Sequence, residues 1–292
     1  MPAITEIARA KVNLTLKVRG RRPDGYHELE SLVVFAADLG DIVRLVPGEE
    51  TGCRVRGPFA TAIEGDNFID TALQRLAEQA PGLTLGEVTL EKCLPVAAGI
   101  GGGSADAAAL LRAVRFANGS RSASVDWAGI AASLGADVPV CLVNRSAFVT
   151  GTGERLEAVP DLPRLNAVLV NPLTPTPLGK TRRVFARLSV PVAPAMAERA
   201  KPPGPFPNAP ALVAYMAAEG NDLMPAAMEI EPAVAQVQAA LAAVPSCKFA
   251  GLSGAGPTCY GIFATAADAT AAREVLRAAH PRWWIAATTL GG

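Results

Sequence analysis

Alternating hydrophobic and polar residues near the start of the chain predict a β-hairpin. Apolar residues occupy every second position from Val12 to Val18, which is typical of a strand with one buried face. The turn-forming sequence Arg21-Arg22-Pro23-Asp24-Gly25 follows, and a second strand is expected over residues 29–36. The chain should therefore reverse direction between these two strands.

Further along, strand and helix patterns are mixed, which predicts an α+β protein with two lobes and a cleft between them. An alanine-rich helix is expected from Ser104 to Ala117, ended by Asn118-Gly119. Residues 191–210 are rich in proline and are expected to form a surface excursion. The other expected elements are strands over 87–93, 166–170, 258–263 and 283–288 and a helix over 267–279.

Composition narrows the class of partner. The 292 residues are 50% hydrophobic and 18% charged, which is typical of an ordered globular protein. Lys plus Arg and Asp plus Glu number 27 each, so no net charge attracts nucleic acid or an anionic membrane. We therefore expect a small-molecule partner, no nucleic-acid or membrane partner, and a monomer or weak homodimer.

The cysteines and the N-terminus indicate a cytoplasmic protein. The five cysteines are scattered without a Cys-x-x-Cys pair, and the two histidines stand apart, so no metal cluster is predicted. The first residues lack the basic start and apolar stretch of a signal peptide. No apolar run approaches the ~18 to 20 residues that a membrane span needs.

A glycine-rich segment carries the strongest chemical signal. Four glycines fall within the five residues 99–103, between a predicted strand and the predicted helix start at Ser104. Glycines let backbone N–H groups approach a ligand, and the helix N-terminus favours an anion. The segment predicts a phosphate-binding loop, in which Ser104 either caps the helix or contacts a phosphate or Mg²⁺. A flexible linker with an N-cap serine is the alternative.

Two segments partly match other phosphate-binding motifs, but neither matches in full. The dinucleotide pattern G-x-G-x-x-G fails because Ser104 stands at its last position. Gly179-Lys180-Thr181 imitates the end of a Walker A loop, but Thr174 stands where the first glycine belongs. We therefore set this second segment aside as a phosphate site.

Three motifs in order resemble those of the GHMP kinases. Ala10-Lys11-Val12-Asn13-Leu14 is similar to the first motif of that family, the glycine-rich loop from Pro95 to Ser104 to the second, and Leu252–Thr258 to the third. The resemblance implies an N-terminal lobe like domain 2 of ribosomal protein S5, over residues 1–162. It also implies a ferredoxin-like C-terminal lobe, over residues 163–292, with ATP and substrate in the cleft.

The resemblance also implies catalytic roles. Lys11 resembles the catalytic lysine, Asn13 a substrate-orienting amide, and Asp137 the base that accepts the proton of the attacking hydroxyl. Without the resemblance, Lys11 and Asn13 could be solvated strand residues, and Asp137 a turn or cap residue before a Val-Pro strand.

ATP is the implied co-substrate, and Mg²⁺ follows from ATP chemistry. Ser104 is the expected protein contact to the metal, and Asp106 either lies near the metal or is a first-turn acid of the helix. Asp66 is expected near the adenine together with Asn67. The residues expected to bind ATP are Pro95, Gly99, Gly101, Gly102, Gly103, Ser104, Asn67 and Lys92.

The acceptor side of the resemblance indicates a base-containing substrate. Asp24-Gly25-Tyr26-His27 is similar to a signature of the family branch whose acceptor is a cytidine diphosphate conjugate of methylerythritol. Tyr26 and His27 would recognise cytosine, with Phe185 as the opposite wall. The other expected substrate-binding residues are Asn13, Thr181 and Gly254, with Ser253 or Thr258 adding a hydroxyl.

Two alternatives stay open. The same fold could phosphorylate homoserine, mevalonate or a sugar. It could also bind a ligand without turnover, although a protein that only binds has no chemical need for Lys11, Asp137 and Ser104 together.

Overall fold

The computed structural model describes residues 2–63, 65, 67–175, 177, 179–192 and 200–291. Strands and helices both occur in this part of the chain, which confirms the predicted α+β class. The chain forms two compact units: the first comprises Met1–Lys11, Leu39–Val96 and Gly101–Asn144, and the second comprises Val12–Asp38, Ala97–Ile100 and Arg145–Gly292. The lobe boundary expected after residue 162 stays a prediction.

The strands are β1 Ile4–Asn13, β2 Lys17–Arg21, β3 His27–Pro47, β4 Gly52–Arg56, β5 Gly86–Glu91, β6 Ala147–Gly151, β7 Arg155–Ala158, β8 Leu165–Asn171, β9 Cys247–Leu252, β10 Cys259–Phe263 and β11 Trp284–Leu290. The α-helices are α1 Phe68–Gln79, α2 Gly102–Asn118, α3 Trp127–Leu134, α4 Val138–Val143, α5 Lys180–Phe185, α6 Ala209–Glu219, α7 Met224–Ile230, α8 Ala233–Ala242 and α9 Ala266–Ala279. Within the part of the chain that the structure describes, none of these helices has both the length and the apolar character needed to cross a membrane.

The predicted β-hairpin is confirmed, but its first strand is wrong in extent. Strands β2 and β3 pair antiparallel. A single strand from Val12 to Val18 was expected, whereas β1 ends at Asn13 and β2 begins at Lys17. Leu16 lies between them because its N–H donates to Gly220 O at 3.0 Å and its carbonyl accepts from Asp222 N at 2.8 Å. These contacts with a distant segment interrupt the strand.

The Val-Pro segment after Asp137 is a helix, so the expected strand there is wrong. Helix α4 starts at Val138, and Pro139 occupies its first turn. Proline is tolerated there because the first N–H groups of a helix have no partner within the helix. Of the proline-rich stretch, residues 193–199 lie outside the described residues, while residues 200–208 form neither helix nor strand.

In the first unit, alanine-rich helix α2 packs on α1 and α4. Its small side chains allow this close packing, and Ala105, Ala107, Ala108 and Ala109 are buried. Residues 42–47 of β3 pair antiparallel with β5, and β5 pairs parallel with β4. The sheet and the helices together fix the start of α2, where the glycine-rich loop ends.

A buried ion cluster lies beneath the start of α2. The Lys92 ammonium is 2.5 Å from Asp41 Oδ2 and 2.7 Å from Asp106 Oδ2, and all three residues are buried. Asp41 Oδ1 also accepts from the N–H groups of Cys93 and Leu94. Burial lowers the pKa of Lys92, but the attraction of Asp106 and Asp41 outweighs burial and leaves that pKa raised. Burial raises the pKa of Asp106.

In the second unit, four antiparallel strands lie in the order β11-β8-β10-β9. Helices α8 and α9 cover this sheet. The core includes Val168 and Val170 of β8, Val234 and Val237 of α8, and Leu276 of α9. This sheet carries the third motif in the connection between β9 and β10.

We expect Asp41→Ala to lower the free energy of unfolding by roughly 3–5 kcal/mol, because it removes one of the two carboxylates that pair with the buried Lys92 ammonium and leaves two N–H groups without an acceptor. Urea unfolding followed by circular dichroism measures the change. Glu78→Ala is the control, since it removes an exposed ion pair with Arg75 and should cost less than ~1 kcal/mol. Equal losses in the two variants would contradict the importance of the buried cluster.

Candidate active site

In the first unit, Lys11 and Asp137 form an ion pair. The distance from Lys11 Nζ to Asp137 Oδ2 is 3.1 Å, and the Lys11 side chain is 4% exposed while that of Asp137 is 51% exposed. Lys11 is held near the end of β1, and Asp137 sits at the N-cap position of α4. A fixed buried cation therefore stands beside a carboxylate that solvent and a ligand can reach.

The glycine-rich loop places the N-terminus of α2 next to this pair. An ideal Cβ on Gly101 would lie 3.1 Å from both Cβ and Cε of Lys11, so the lysine stem passes along the loop. Gly101 has φ of +67° and is the N-cap of α2. A Cβ on Gly103 would lie 2.7 Å from the Phe68 ring. The N-terminus of this 17-residue helix, which carries the positive end of its dipole, thus lies beside Lys11 in the first unit.

The expectation that α2 begins at Ser104 is wrong. The helix starts at Gly102, so Ser104 lies in its first turn rather than at its cap, with a partly exposed side chain. Asp106 lies deeper in the helix and pairs with Lys92. The hydroxyl of Ser104 is the better placed of the two for a phosphate or a metal.

The remaining residues expected on the ATP side have partners within the first unit. Asn67 caps α1, where its Oδ1 accepts from Ile69 N at 2.7 Å. The Lys92 ammonium lies in the buried ion cluster, and Pro95 is buried. Asp66 lies outside the described residues. Contacts of Asn67, Lys92 and Pro95 with ATP stay predictions.

In the second unit, a buried hydrogen-bond chain orients Asn13. Its Nδ2 donates to Ser31 Oγ at 2.7 Å, and Ser31 Oγ donates to the Thr15 carbonyl at 2.6 Å. An ideal Cβ on Gly254 would lie 3.4 Å from Asn13 Oδ1, so these two predicted residues are neighbours. Ser31 was missed because it lies on another strand, in no motif that marks it.

The first residues of the glycine-rich loop rest against the third motif. Gly99 has φ of +77°, and a Cβ there would lie 2.5 Å from Gly256 O. Ser253 Oγ donates to Gly99 O at 2.8 Å, and Thr258 N donates to Ala98 O at 3.1 Å. Ser253 and Thr258 are fully buried, so the structure gives them this bracing contact rather than an exposed hydroxyl.

The aromatic residues that are expected to bind the cytosine of the acceptor also lie in the second unit. The ring centroids of His27 and Phe185 are 4.8 Å apart with an interplanar angle of 31°, while Tyr26 is 64% exposed. Burial, aided by the charge of Arg21, lowers the pKa of His27. A neutral imidazole offers one donor and one acceptor. Thr181 is exposed in the first turn of α5, the helix that carries Phe185.

Within the part of the chain that the structure describes, no group of three or more His, Cys, Asp or Glu side chains is placed to hold a metal ion. The nearby oxygen donors are the Ser104 hydroxyl and the accessible Asp137 carboxylate. Hydroxyl and carboxylate oxygens suit Mg²⁺, which takes most of its ligands from water and substrate phosphates. The donor set therefore fits a metal ion that arrives with a nucleotide.

Two family models match the chain. "GHMP kinases N terminal domain" matches residues 67–145, and "GHMP kinases C terminal" matches residues 208–282. The first match contains the second motif and Asp137.

Similar proteins agree over the whole length. A 4-diphosphocytidyl-2-C-methyl-D-erythritol kinase of Rhodopseudomonas palustris (strain BisA53) is 45% identical, covering 99% of this chain and 98% of its own. A kinase of the same name from Paramagnetospirillum magneticum is 47% identical, covering 97% of each chain. A crystal structure of 4-(cytidine 5'-diphospho)-2C-methyl-D-erythritol kinase aligns with a TM-score of 0.75 and 33% identity, covering 99% of this chain and 100% of that one. Homoserine kinase from Cytophaga hutchinsonii, with a TM-score of 0.64 and 16% identity over 99% of this chain and 95% of its own, shares the fold.

We expect Gly99→Ala to lower the free energy of unfolding by about 3 kcal/mol, the sum of a left-handed backbone cost and the clash with Gly256 O. Thermal or urea unfolding measures the loss. Gly48→Ala is the matched control, since its φ is +87° but no atom lies within 4 Å of the added Cβ. The control should lose only about 1 kcal/mol. A loss at Gly99 no larger than at Gly48 would remove the argument for close contact.

Proposed function

We propose that this chain, which belongs to the GHMP kinase family of ATP-dependent phosphotransferases, phosphorylates the 2-hydroxyl of 4-diphosphocytidyl-2-C-methyl-D-erythritol. The products are ADP and the 2-phosphate, in the non-mevalonate route to isoprenoids. The observation that carries the phosphotransfer is the Lys11–Asp137 pair beside the N-terminus of α2. The kinases named for this acceptor, at about 45% identity over nearly the whole chain, support the choice of acceptor.

Asp137 orients the acceptor hydroxyl and receives its proton. A carboxylate is a far weaker base than an alkoxide, so the proton leaves as the new bond to phosphorus forms rather than before it. The hydroxyl oxygen attacks the γ-phosphorus, and the bond between that phosphorus and the β–γ bridging oxygen breaks. Lys11 lies 3.1 Å from the carboxylate and stabilises both it and the negative charge of the phosphoryl group.

The ATP phosphates are held by main-chain N–H groups at the start of α2, because the glycines there let the backbone approach closely. Ser104 would hold the metal through its hydroxyl. A Mg²⁺ ion bound there with ATP would supply positive charge that offsets the negative charge of the phosphates. Positioning and charge stabilisation therefore carry most of the rate enhancement.

The cytidine end of the acceptor is recognised in the second unit. Cytosine presents a donor and acceptors along its polar edge, which a neutral His27 can match. Tyr26 and Phe185 supply aromatic faces for stacking, and Asn13 orients the erythritol hydroxyls. Homoserine, mevalonate and simple sugars have no base for these residues to bind.

We expect Asp137→Asn to lower kcat by roughly a hundredfold or more, because the amide cannot accept the proton. Purified enzyme with Mg-ATP and the cytidine acceptor is followed by ADP release and by product mass. Asp161→Asn makes the same chemical change at an exposed turn residue and should leave kcat unchanged. Phosphorylation of homoserine or mevalonate but not of the cytidine acceptor would overturn the proposed substrate. Full activity of Asp137→Asn would overturn the role of this residue.

We expect Phe185→Ala to raise the KM for the cytidine acceptor by roughly 10–100-fold, since stacking on a base is worth ~1–3 kcal/mol. The KM for ATP should change less than about twofold. CMP carries the same base as the acceptor, so it should inhibit the variant more weakly than wild type. Phe116→Ala removes an exposed aromatic ring and should alter neither constant. An equal rise in both KM values would indicate a general distortion instead of a lost base contact.

A further inference from the structure

Lys180 is a buried lysine that the phosphate motifs leave without a role. It is 6% exposed, and it stands in the segment that imitates a Walker A loop. Its ammonium donates to the main-chain carbonyls of Gly256 and of Ala97, the latter at 3.3 Å. One cation thus joins the start of the glycine-rich loop to the third motif.

The contact at Ala97 completes the support of the loop. Ala97 has φ of +53°, a left-handed conformation that an alanine rarely adopts. The next two carbonyls, of Ala98 and Gly99, accept from Thr258 N and Ser253 Oγ of the third motif. Lys180 holds the first carbonyl of this series from a third segment of the chain.

Lys180 is also the first residue of α5, the helix of the expected acceptor residues. Thr181 follows it directly, and Phe185 ends the helix against the His27 ring at 4.8 Å. The backbone of Lys180 therefore belongs to the acceptor side while its side chain reaches the nucleotide loop. A displacement of helix α5 or of the glycine-rich loop would therefore be transmitted to the other through Lys180.

Two opposing effects set the pKa of the Lys180 ammonium. Burial lowers the pKa of its ammonium to about 8, and the attraction of Glu231 partly opposes this. Glu231, which follows α7, is buried, and its Oε1 accepts from the Thr174 hydroxyl. Helices α5 and α7 pack against each other, and their other charged side chains are exposed: Arg182 and Arg183 on α5, and Glu229 on α7, which pairs with Arg187 at 3.1 Å.

We propose that Lys180 is a positioning residue that couples residues 97–100 of the glycine-rich loop to helix α5, and that it does so in its charged form. Charged donors form stronger hydrogen bonds to carbonyls than neutral amines do, so loss of the proton loosens both anchors. The inference rests on the proposed function for its acceptor, but its nucleotide half requires ATP binding alone.

The test compares Lys180→Met with wild type from pH 6.5 to 9.5. At pH 7.5 we expect kcat/KM for ATP and for the cytidine acceptor to fall by about tenfold or more. The wild-type profile should decline above about pH 8, following the pKa of Lys180, and Lys180→Met should lack that decline. Lys248→Met, which changes an exposed lysine of the same unit, should match wild type.

Glu231→Gln separates positioning from general support of the fold. Because Glu231 raises the pKa of Lys180, its neutral isostere should move the alkaline decline to lower pH. That shift supports the proposal even if Lys180→Met fails to fold. An unmoved decline in Glu231→Gln, or a Lys180→Met enzyme within twofold of wild type, overturns it.

A titration with a fluorescent ATP analogue distinguishes this inference from the proposed function. If wild type does not phosphorylate the cytidine acceptor, the proposed substrate is wrong, and the titration still decides the role of Lys180. Weaker nucleotide binding by Lys180→Met at pH 7.5, with Lys248→Met unchanged, supports the proposal. Equal affinities of the three proteins overturn it.

Discussion

The second unit is organised around a place where two glycine motifs touch through their main chains. Gly99 and Gly256 approach so closely that a Cβ on Gly99 would lie 2.5 Å from the Gly256 carbonyl. Because no side chain intervenes, the Ser253 hydroxyl can reach Gly99 O and the Thr258 N–H can reach Ala98 O. Ala98 and Gly99 are therefore held in a fixed position within this unit. Ordering a loop in advance reduces the entropy that a ligand must remove when it binds.

Burial distinguishes two groups in which a lysine pairs with aspartate. Lys92 lies with Asp41 and Asp106 away from solvent, so this cluster can support α2 but cannot exchange protons with a substrate. The Lys11–Asp137 pair leaves its carboxylate half exposed. Proton transfer needs direct contact with the reacting hydroxyl. Both carboxylates are paired with a lysine, so their exposure is what distinguishes them. The exposed Asp137 can take part in proton transfer, whereas the buried Asp41 can only support the fold.

Local signals predicted much of this architecture. The glycines before an alanine run predicted the loop and helix α2, because backbone freedom and helix propensity are properties of neighbouring residues. The Val-Pro segment after Asp137 was predicted as a strand, since β-branched residues favour strands when packing is unknown. Ser31 and Asp41 were missed because the groups they hold, Asn13 and Lys92, are distant in sequence. Such residues become visible only when the fold brings the segments together.

Lys180 shows the same limit of sequence patterns, because it stands in a segment that was set aside as a phosphate site. Its segment fails as a Walker A loop because Thr174 stands where the first glycine belongs, and helix α5 begins at Lys180. Yet a charge buried among carbonyls costs several kcal/mol unless its hydrogen bonds are made, whereas a methionine of similar length would bury at no such cost. A lysine in this position is therefore a poor choice for packing alone. Its ammonium satisfies two carbonyls that belong to different motifs, a task that no single apolar side chain can perform.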